Sequence, residues 1–239
     1  MQELLRLIQT RQSARVLFDP GRPLHKKDLQ YILEAGRWAP TAHNMQNFEI
    51  IVVDDRKLLE RIANLRYPTS LAFVRENYRQ LSFSEEELRR KKVGILGTMF
   101  PPSWRKPNVK PEDIAGIEEN PFIKKAIQSS AVLLIVLYDP GRRAPASEGD
   151  FLGIMSLGCV MENMWLMAHS LSIGCHVVSS LSAEPVQKEL KGLLNIPEHL
   201  MLAFSLRLGY PASKIEYLRV RRDIDDCTHS NQYGKRGLD

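Results

Sequence analysis

Two arginines flank a serine near the start of the chain, in the order Arg11, Ser13 and Arg15. Guanidinium groups bind phosphate through paired, charge-assisted hydrogen bonds, and a hydroxyl beside them can add another bond. The three side chains could therefore hold one phosphate-bearing ligand. The polar end of a surface helix would give the same pattern, so this spacing alone leaves both interpretations open.

Motifs of the commoner catalytic sites are absent from the sequence. No Gly-x-Gly-x-x-Gly fingerprint follows a strand, and there is neither a P-loop nor a Gly-x-Ser-x-Gly nucleophile motif. The three cysteines and six histidines form no pattern typical of a metal site. Glu162, His169 and His176 lie in or near an apolar segment, where structural and catalytic roles are both open. An enzyme with this sequence would rely on a bound organic cofactor.

The composition indicates a globular protein with a basic surface. Of the 239 residues, 44% are hydrophobic and 26% charged, and the formal net charge is +5. The basic residues form short, scattered clusters without aromatic neighbours, which argues against a nucleic-acid partner and favours small anionic ligands or solubility. The longest apolar run, residues 131–138, is far too short to span a membrane. An amphipathic N-terminus without a signal sequence and an odd number of cysteines predict a cytoplasmic protein.

The elements that must position these residues mix helices and strands without a regular βαβ repeat, which predicts an α+β fold. Apolar spacing predicts a helix that begins near Lys26 and ends before Pro40, followed by a strand from Phe48. A helix within residues 150–174 is apolar on nearly every face, which predicts a central helix or a subunit contact. Further strands are predicted at residues 131–138, 175–181, 199–211 and 215–220. Residues 65–120 fit no regular pattern, and we interpret them as an insertion or lid.

Several motifs in order make this sequence similar to the flavin-dependent nitroreductase family. The Arg11-x-Ser13-x-Arg15 corner comes first, and "APTAHNMQNFEIIVV", residues 39–53, matches the family's "APSxxNxQPWxFIVV". The resemblance resumes at Asp150, continues through "LGYP" at residues 208–211, and ends in "RRDIDDCTHSNQYG", which is similar to the family's "RRPLEEVVHxxxYG". The motifs therefore cover most of the chain.

The resemblance implies a single domain of residues 1–239 with a nitroreductase-like α+β fold, whose mainly antiparallel central sheet is flanked by helices. It implies a homodimer with domain-swapped C-terminal arms and two shared FMN sites, and no membrane or nucleic-acid partner. NADH or NADPH would donate hydride, which would pass to an electron-poor acceptor such as a nitroaromatic or a quinone by a ping-pong mechanism. The flavin would supply the chemistry, so no side chain is assigned as catalytic and no metal is expected.

The resemblance also assigns cofactor contacts residue by residue. Arg11 and Ser13, beside Gln12, would hold the FMN phosphate and ribityl chain, and Arg15 would contact the pyrimidine edge of the flavin. A cation at that edge favours the anionic reduced flavin. The remaining predicted contacts are a loop from the other subunit with Pro40, Thr41, Ala42, Asn44 and Gln46, a loop near flavin N5 with Val178, Ser179 and Ser180, and a C-terminal phosphate clamp with Arg221 and Arg222.

Residues 65–120 match nothing in the family pattern, and as a lid over the flavin they would decide which acceptor is used. The polar and aromatic candidates for acceptor contacts are Arg66, Tyr67, Arg75, Tyr78, Trp104 and Arg105, and each of them could equally serve packing or solvation. Two other functions stay open. One is a specialised flavin enzyme of the same family, such as a reductive dehalogenase or a flavin-cleaving enzyme. The other is a non-catalytic flavin-binding redox sensor.

Overall fold

The computed structural model describes residues 2–116, 121–145 and 149–237. The chain forms two compact units. One, here called the core unit, comprises Met1–Tyr67 and Pro121–Ile215, and the other, the second unit, comprises Pro68–Asn120 and Glu216–Asp239. The expected single domain with a variable segment at residues 65–120 stays a prediction.

The strands of the described residues are β1 (Phe48–Val53), β2 (Ser82–Phe83), β3 (Ile95–Leu96), β4 (Val132–Tyr138), β5 (Gly174–Val177) and β6 (Met201–Gly209). In the core unit, four of these strands form one sheet in the order β1, β4, β6, β5. All three neighbouring pairs in that sheet are antiparallel. The sheet lies among helices, which confirms the predicted α+β class and the mainly antiparallel sheet.

The helices of the same residues are α1 (Gln2–Thr10), α2 (Lys26–Arg37), α3 (Arg56–Ala63), α4 (Leu71–Phe73), α5 (Glu85–Lys91), α6 (Pro111–Ile114), α7 (Pro121–Gln128), α8 (Phe151–Ser170) and α9 (Glu184–Leu194). Helix α2 ends before Pro40, as predicted, because the residue before a proline is disfavoured in helical conformation. The side chain of Asp55 caps α3 by accepting a hydrogen bond from the backbone N–H of Leu58.

Apolar clusters pack on both faces of the core-unit sheet. Along β4 successive side chains point to opposite faces, and every residue of this strand is buried. Leu134 and Val136 belong to the cluster that includes residues of α2 and α8, whereas Leu133 and Ile135 belong to the cluster that includes residues of α3 and α9. Burial on both faces explains why β4 reads as a continuous apolar run and does not alternate with polar residues.

Helix α8 is the apolar helix predicted from the sequence. By length and composition it could cross a membrane, a test that the core helix of a folded protein also passes. It packs closely on α2, because a Cβ atom at Gly36 would lie 2.9 Å from Cγ of Met164. The other side of its first turns is exposed, with Phe151 69% and Ile154 63% accessible to solvent. The helix is therefore part of the core and also carries an exposed apolar edge.

The second unit is built from short elements around an aromatic cluster. Strands β2 and β3 pair in parallel, and residues 74–80 form a π-helix. The rings of Phe73, Tyr78, Phe100 and Trp104 contact one another with centroids 5.2–6.4 Å apart. The predicted strand at residues 215–220 is wrong. This stretch has no regular secondary structure and pairs with no strand among the described residues.

Candidate functional site

The segment that carries Arg11, Ser13 and Arg15 follows α1 directly and is fixed to one end of the core-unit sheet. The backbone N–H of Ala14 donates to the carbonyl oxygen of Cys175 in β5 at 2.9 Å. Four residues further on, Phe18 forms an isolated antiparallel bridge with Pro211. The segment is therefore more than a solvated helix end, because the sheet determines its backbone path on both sides of Arg15.

Packing around Phe18 holds the same segment in place. A Cβ atom at Gly209 would lie 2.6 Å from the Phe18 ring, and one at Gly174 would lie 2.8 Å from it, so the ring needs glycine at both positions. The Phe18 ring also contacts Arg207, whose guanidinium lies 4.0 Å from the centre of the ring. The Arg207 guanidinium also donates a hydrogen bond to the carbonyl oxygen of Val16.

Arg11 is bound to α8. Its Nε atom lies 3.1 Å from a carboxylate oxygen of Glu162, and its guanidinium lies 4.2 Å from the centre of the Trp165 ring. One turn further along α8, Nε2 of His169 lies 2.9 Å from the hydroxyl of Thr10. These contacts give Glu162 and His169 structural roles at the end of α1. They also restrict the Arg11 guanidinium, whose five donors can serve a ligand as well as Glu162.

The loop at residues 40–46 adopts a costly backbone conformation. The predicted contacts Asn44 and Gln46 have φ angles of 54° and 43°, and His43 between Ala42 and Asn44 has 50°. Left-handed backbone at residues other than glycine is uncommon, and such strain costs about 1–3 kcal/mol per residue. The loop is anchored at Ala42, whose N–H donates to the Ser156 hydroxyl of α8 at 3.0 Å. Strain that persists in an anchored loop is typical of binding sites.

Two further hydrogen bonds stabilise this loop from within. The hydroxyl of Thr41 accepts from the N–H of Gln46 at 3.1 Å, and the side-chain amide of Gln46 donates to the Asn44 side chain at 3.3 Å. Pro40, at the start of the loop, is exposed. The structure thus brings all five predicted residues into one ordered loop, and their contact with flavin stays a prediction.

The predicted N5 loop begins where β5 ends. The N–H of Val178 donates to the carbonyl oxygen of Ser205, and the Ser205 hydroxyl donates back to Val178 at 2.6 Å. Ser179 and Ser180 then start a short 3₁₀ helix. The hydroxyl oxygen of Ser180 is buried and has no hydrogen-bond partner within the described structure. Because buried polar atoms are almost always satisfied, this hydroxyl indicates a missing partner such as a ligand.

His176 is a second buried group near this loop, and sequence reasoning left its role undecided. It lies opposite Arg207 in the β5–β6 register, and its Nδ1 atom is buried without a partner in the part of the chain that the structure describes. Burial, with the positive charges of Arg207 and Arg15, lowers the pKa of His176 to about 3. The imidazole is therefore neutral at neutral pH, and the potential around it is positive.

The predicted phosphate clamp at the C-terminus lies in the second unit. Arg221 and Arg222 are exposed, and Nη1 of Arg222 donates to the carbonyl oxygen of Asp226 at 3.5 Å. The side chain of the neighbouring Asp223 forms an ion pair with Lys92. A role for either arginine in phosphate binding stays a prediction, as does that of Gln12, which is half-buried beside Ser13.

Three of the six lid candidates have packing roles. The Tyr67 hydroxyl donates to the carbonyl oxygen of Ile62, the Tyr78 hydroxyl donates to that of Trp104, and Trp104 is itself buried. Each of these side chains is held by a backbone carbonyl or by the aromatic cluster. Tyr78 also lines the groove described next, so its hydroxyl is bonded although part of its surface faces that groove.

The arginines of the lid segment divide into two groups. Arg75 forms an ion pair with Glu112, and Arg66 is exposed. Arg105 lines an open groove of about 600 Å³ in the second unit. Arg79, which sequence reasoning missed, lines the same groove, and neither of these two arginines forms an ion pair within the described residues. The groove therefore has two cationic side chains available for an anionic ligand.

Together, the side chains of the core unit fit a ligand that combines a phosphate with polar ring atoms. Arg11 and Arg15 supply positive charge, while Oγ of Ser180 and Nδ1 of His176 are buried polar atoms that have no hydrogen-bond partner among the described residues. Guanidinium groups bind phosphate through paired, charge-assisted hydrogen bonds. With its pKa far below neutrality, His176 can accept or donate a hydrogen bond there but cannot supply a proton as an imidazolium at neutral pH.

Comparison with known families and sequences gives matches along nearly the whole chain. The model of the nitroreductase family matches residues 8–210. A protein of Archaeoglobus fulgidus, which bears the provisional name NADH dehydrogenase/NAD(P)H nitroreductase, is 24% identical over 217 residues, 91% of this chain and 90% of its own length. A Cr(VI) reductase of Pseudomonas sp. strain G-1 is 22% identical over 233 residues, 95% of this chain and 74% of its own length.

Solved structures with the same fold include proteins of two further bacteria. A nitroreductase with bound FMN from Bacteroides fragilis NCTC 9343 superposes with a TM-score of 0.58 at 21% identity, covering 95% of this chain and 98% of its own. An FMN-dependent nitroreductase of Clostridium difficile R20291 superposes with a TM-score of 0.60 at 15% identity, covering 96% and 99%. At these identities the likeness establishes the fold, including the arrangement of sheet and helices described above.

Proposed function

The chain belongs to the nitroreductase family, and on this premise we propose that it is an FMN-dependent oxidoreductase. It takes hydride from NADH or NADPH and passes it to an electron-poor acceptor, such as a nitroaromatic or a quinone, by a ping-pong mechanism. The A. fulgidus and Pseudomonas relatives bear the names of reductases, which supports this reaction class.

The observation that carries the proposal is the fixed Arg11–Arg15 segment, together with the buried Nδ1 of His176 and Oγ of Ser180, which have no hydrogen-bond partner in the described ranges. Arg11 and Ser13 would hold the phosphate and ribityl chain, and Ser180 and the backbone around it would bond the flavin edge. Bound FMN supplies two-electron redox chemistry that no side chain provides. The contribution of Arg15 is a positive charge that stabilises negative charge on the reduced ring.

We further propose that the protein is a homodimer. The exposed edge of α8, with Phe151 and Ile154, needs a cover, and α1 presents Leu4 and Leu5 at 61% and 54% exposure. Exposed apolar patches of this kind mark protein contacts. In the dimer, the loop at residues 40–46 would reach the FMN of the partner, and the C-terminal arms would be exchanged between subunits.

A reducing compartment suits this protein. Cys159, Cys175 and Cys227 are all free thiols, and burial raises the pKa of Cys175 well above its usual range. Free cysteines persist where disulfides do not form. We therefore propose a cytoplasmic location.

Cofactor content is the first test. Wild-type protein that is purified with about one FMN per chain supports the proposal. The Arg11→Ala variant should be purified largely without flavin, because the phosphate loses a charge-assisted partner. Arg61→Ala, an exposed arginine near the end of α3, is the matched control and should keep its flavin. Full FMN content in Arg11→Ala would contradict the phosphate assignment.

Anaerobic reduction tests the activity itself. NADH or NADPH should bleach the yellow flavin, and nitroaromatics or quinones should restore its colour. Flavin that is reoxidised by halogenated phenols but by neither of those acceptors would identify a specialised enzyme of the family. Flavin that neither nicotinamide reduces would instead identify a redox sensor and would overturn the proposed reaction.

A further inference from the structure

Arg207 is the largest fully buried side chain among the residues that the structure describes, with 0% of its surface exposed. It lies in β6 between the two neighbouring strands, opposite Leu133 of β4 and His176 of β5. A buried charge is costly unless hydrogen bonds and nearby groups compensate it. An arginine at the centre of an apolar sheet therefore needs a reason that packing alone does not provide.

Two contacts of Arg207 are directed at the segment that carries the proposed phosphate ligands. Its guanidinium donates to the carbonyl oxygen of Val16 and lies 4.0 Å from the ring centre of Phe18. Val16 comes directly after Arg15, so both contacts act within three residues of a predicted flavin contact. Guanidinium groups bond carbonyls through a rigid fork and pack on aromatic faces, and lysine cannot reproduce that combination.

The charge of Arg207 also acts on the pKa values of two neighbouring residues, His176 and Cys175. With Arg15 it contributes, after burial, to the lowered pKa of His176. The same charge, with that of Arg11, acts on Cys175 in favour of its anionic form, against the larger effect of burial. A potential that opposes a cation and favours an anion at these two adjacent residues also favours an anionic ligand held next to them.

We propose that Arg207 is a positioning residue of the flavin site, which fixes the Arg11–Arg15 segment and adds a permanent positive charge to it. This inference rests on the proposed function, because it concerns how the same site holds FMN. Arg207 does not need to touch the ligand. It acts through the backbone at Val16, through the ring of Phe18, and through its field.

The alternative is that Arg207 serves folding only, and Arg56, an exposed arginine of the core unit, provides the comparison. Its two terminal nitrogens donate to the backbone carbonyls of Ser130 and of Gln128, the last residue of α7. Ser129, between them, accepts a hydrogen bond from the N–H of Phe18. Arg56→Met thus loosens a support of Phe18 without removing the buried charge of Arg207.

The test compares Arg207→Met, Arg207→Lys and Arg56→Met with the wild type in three measurements: the Kd for FMN of flavin-free protein, the midpoint potential of the flavin-saturated protein, and the Tm. In Arg207→Met we expect the Kd to rise about tenfold or more and the midpoint potential to fall, because the reduced anionic flavin loses a nearby cation. In Arg207→Lys we expect the Kd to rise while the potential stays close to the wild-type value. Arg56→Met should lower the Tm and leave the midpoint potential at the wild-type value, because it removes no charge from the flavin site.

Two results would overturn the inference. One is Arg207→Met protein whose Kd and potential stay within error of the wild type, whatever its Tm. The other is an unchanged Kd for FMN in Arg207→Lys, which overturns the inference even if Arg207→Met fails to fold. Wild-type protein that takes up no FMN would overturn the proposed function as well, so the two failures are distinguishable.

Discussion

The core unit and the second unit differ in how deeply they place charged residues. In the core unit, Arg207 is buried within the sheet and Arg11 is bound between a carboxylate and an indole ring. The described residues of the second unit include no buried charge, and their ion pairs, such as Arg75–Glu112 and Arg89–Glu85, are exposed. Exposed pairs contribute little to stability, whereas buried groups depend on every neighbour. We infer that substitutions cost more stability in the core unit than in the second unit.

The largest expected effect concerns the contact beneath Phe18 in the core unit. Gly209→Ala should lower the free energy of unfolding by about 3 kcal/mol, because the new Cβ atom would lie 2.6 Å from the ring and the segment would have to move. Gly192→Ala is the control in α9, where a Cβ atom would meet nothing within 4 Å in the described structure. Urea denaturation measures both variants. Equal stability of the two would show that the Phe18 segment is not rigidly seated.

The next effect is a dependence of stability on pH. His176 protonates near pH 6.5 when unfolded but only near pH 3 when folded, so between these values the unfolded state binds more protons. Stability should therefore be highest above pH 6.5 and fall on acidification, by up to about 1.4 kcal/mol per pH unit from this residue. Denaturation of His176→Gln from pH 7 to pH 5 should show a shallower decline. Parallel curves for the two proteins would contradict the burial of a neutral imidazole.

A smaller effect is expected in the second unit. Tyr78→Phe removes the hydroxyl that bonds the Trp104 carbonyl and should cost about 1 kcal/mol, the usual value for one hydrogen bond. Tyr31→Phe, an exposed tyrosine on α2, serves as the control. Fluorescence of a variant that keeps only Trp104 would report on the second unit alone. A loss of unfolding free energy as large as that expected for Gly209→Ala would contradict the contrast in stability between the two units.

The smallest effect concerns the groove. Arg79→Gln and Arg105→Gln should each raise the Kd of the groove for an anion such as 4-nitrobenzoate about two- to fivefold, because exposed charges attract an anion only weakly. The Kd for uncharged nitrobenzene should not change. Arg90→Gln on the exposed side of α5 is the control. The same shift for both compounds would exclude an electrostatic role for the groove.

Sequence reasoning reached the fold class, the limits of α2 and the central apolar helix, because these depend on local periodicity and on proline. It also singled out the Arg11, Ser13 and Arg15 corner as a candidate binding segment. The family match and the antiparallel sheet confirm the resemblance on which those predictions were based. The contacts that the resemblance assigns to FMN stay predictions.

Other features depended on contacts between residues far apart in the sequence. The ion pair of Arg11 with Glu162 joins the segment after α1 to α8, and no spacing pattern relates the two residues. Arg207 within "SLRLG" resembles the exposed member of an alternating strand, but the Phe18 ring packs on its guanidinium and it is buried. The second unit lacks long periodic elements, so its parallel pair β2–β3 left no recognisable pattern.

One consequence of the Ala14–Cys175 hydrogen bond concerns aggregation. Strand β5 is at the edge of the sheet, and an open edge of this kind can recruit a strand from another molecule. The Arg11–Arg15 segment covers part of that edge, so a chain in which this segment is loose exposes an unpaired strand. If this segment binds the FMN phosphate as proposed, occupancy of the site also protects the chain from misassembly. Cofactor supply during synthesis should then govern how much of the protein stays in solution.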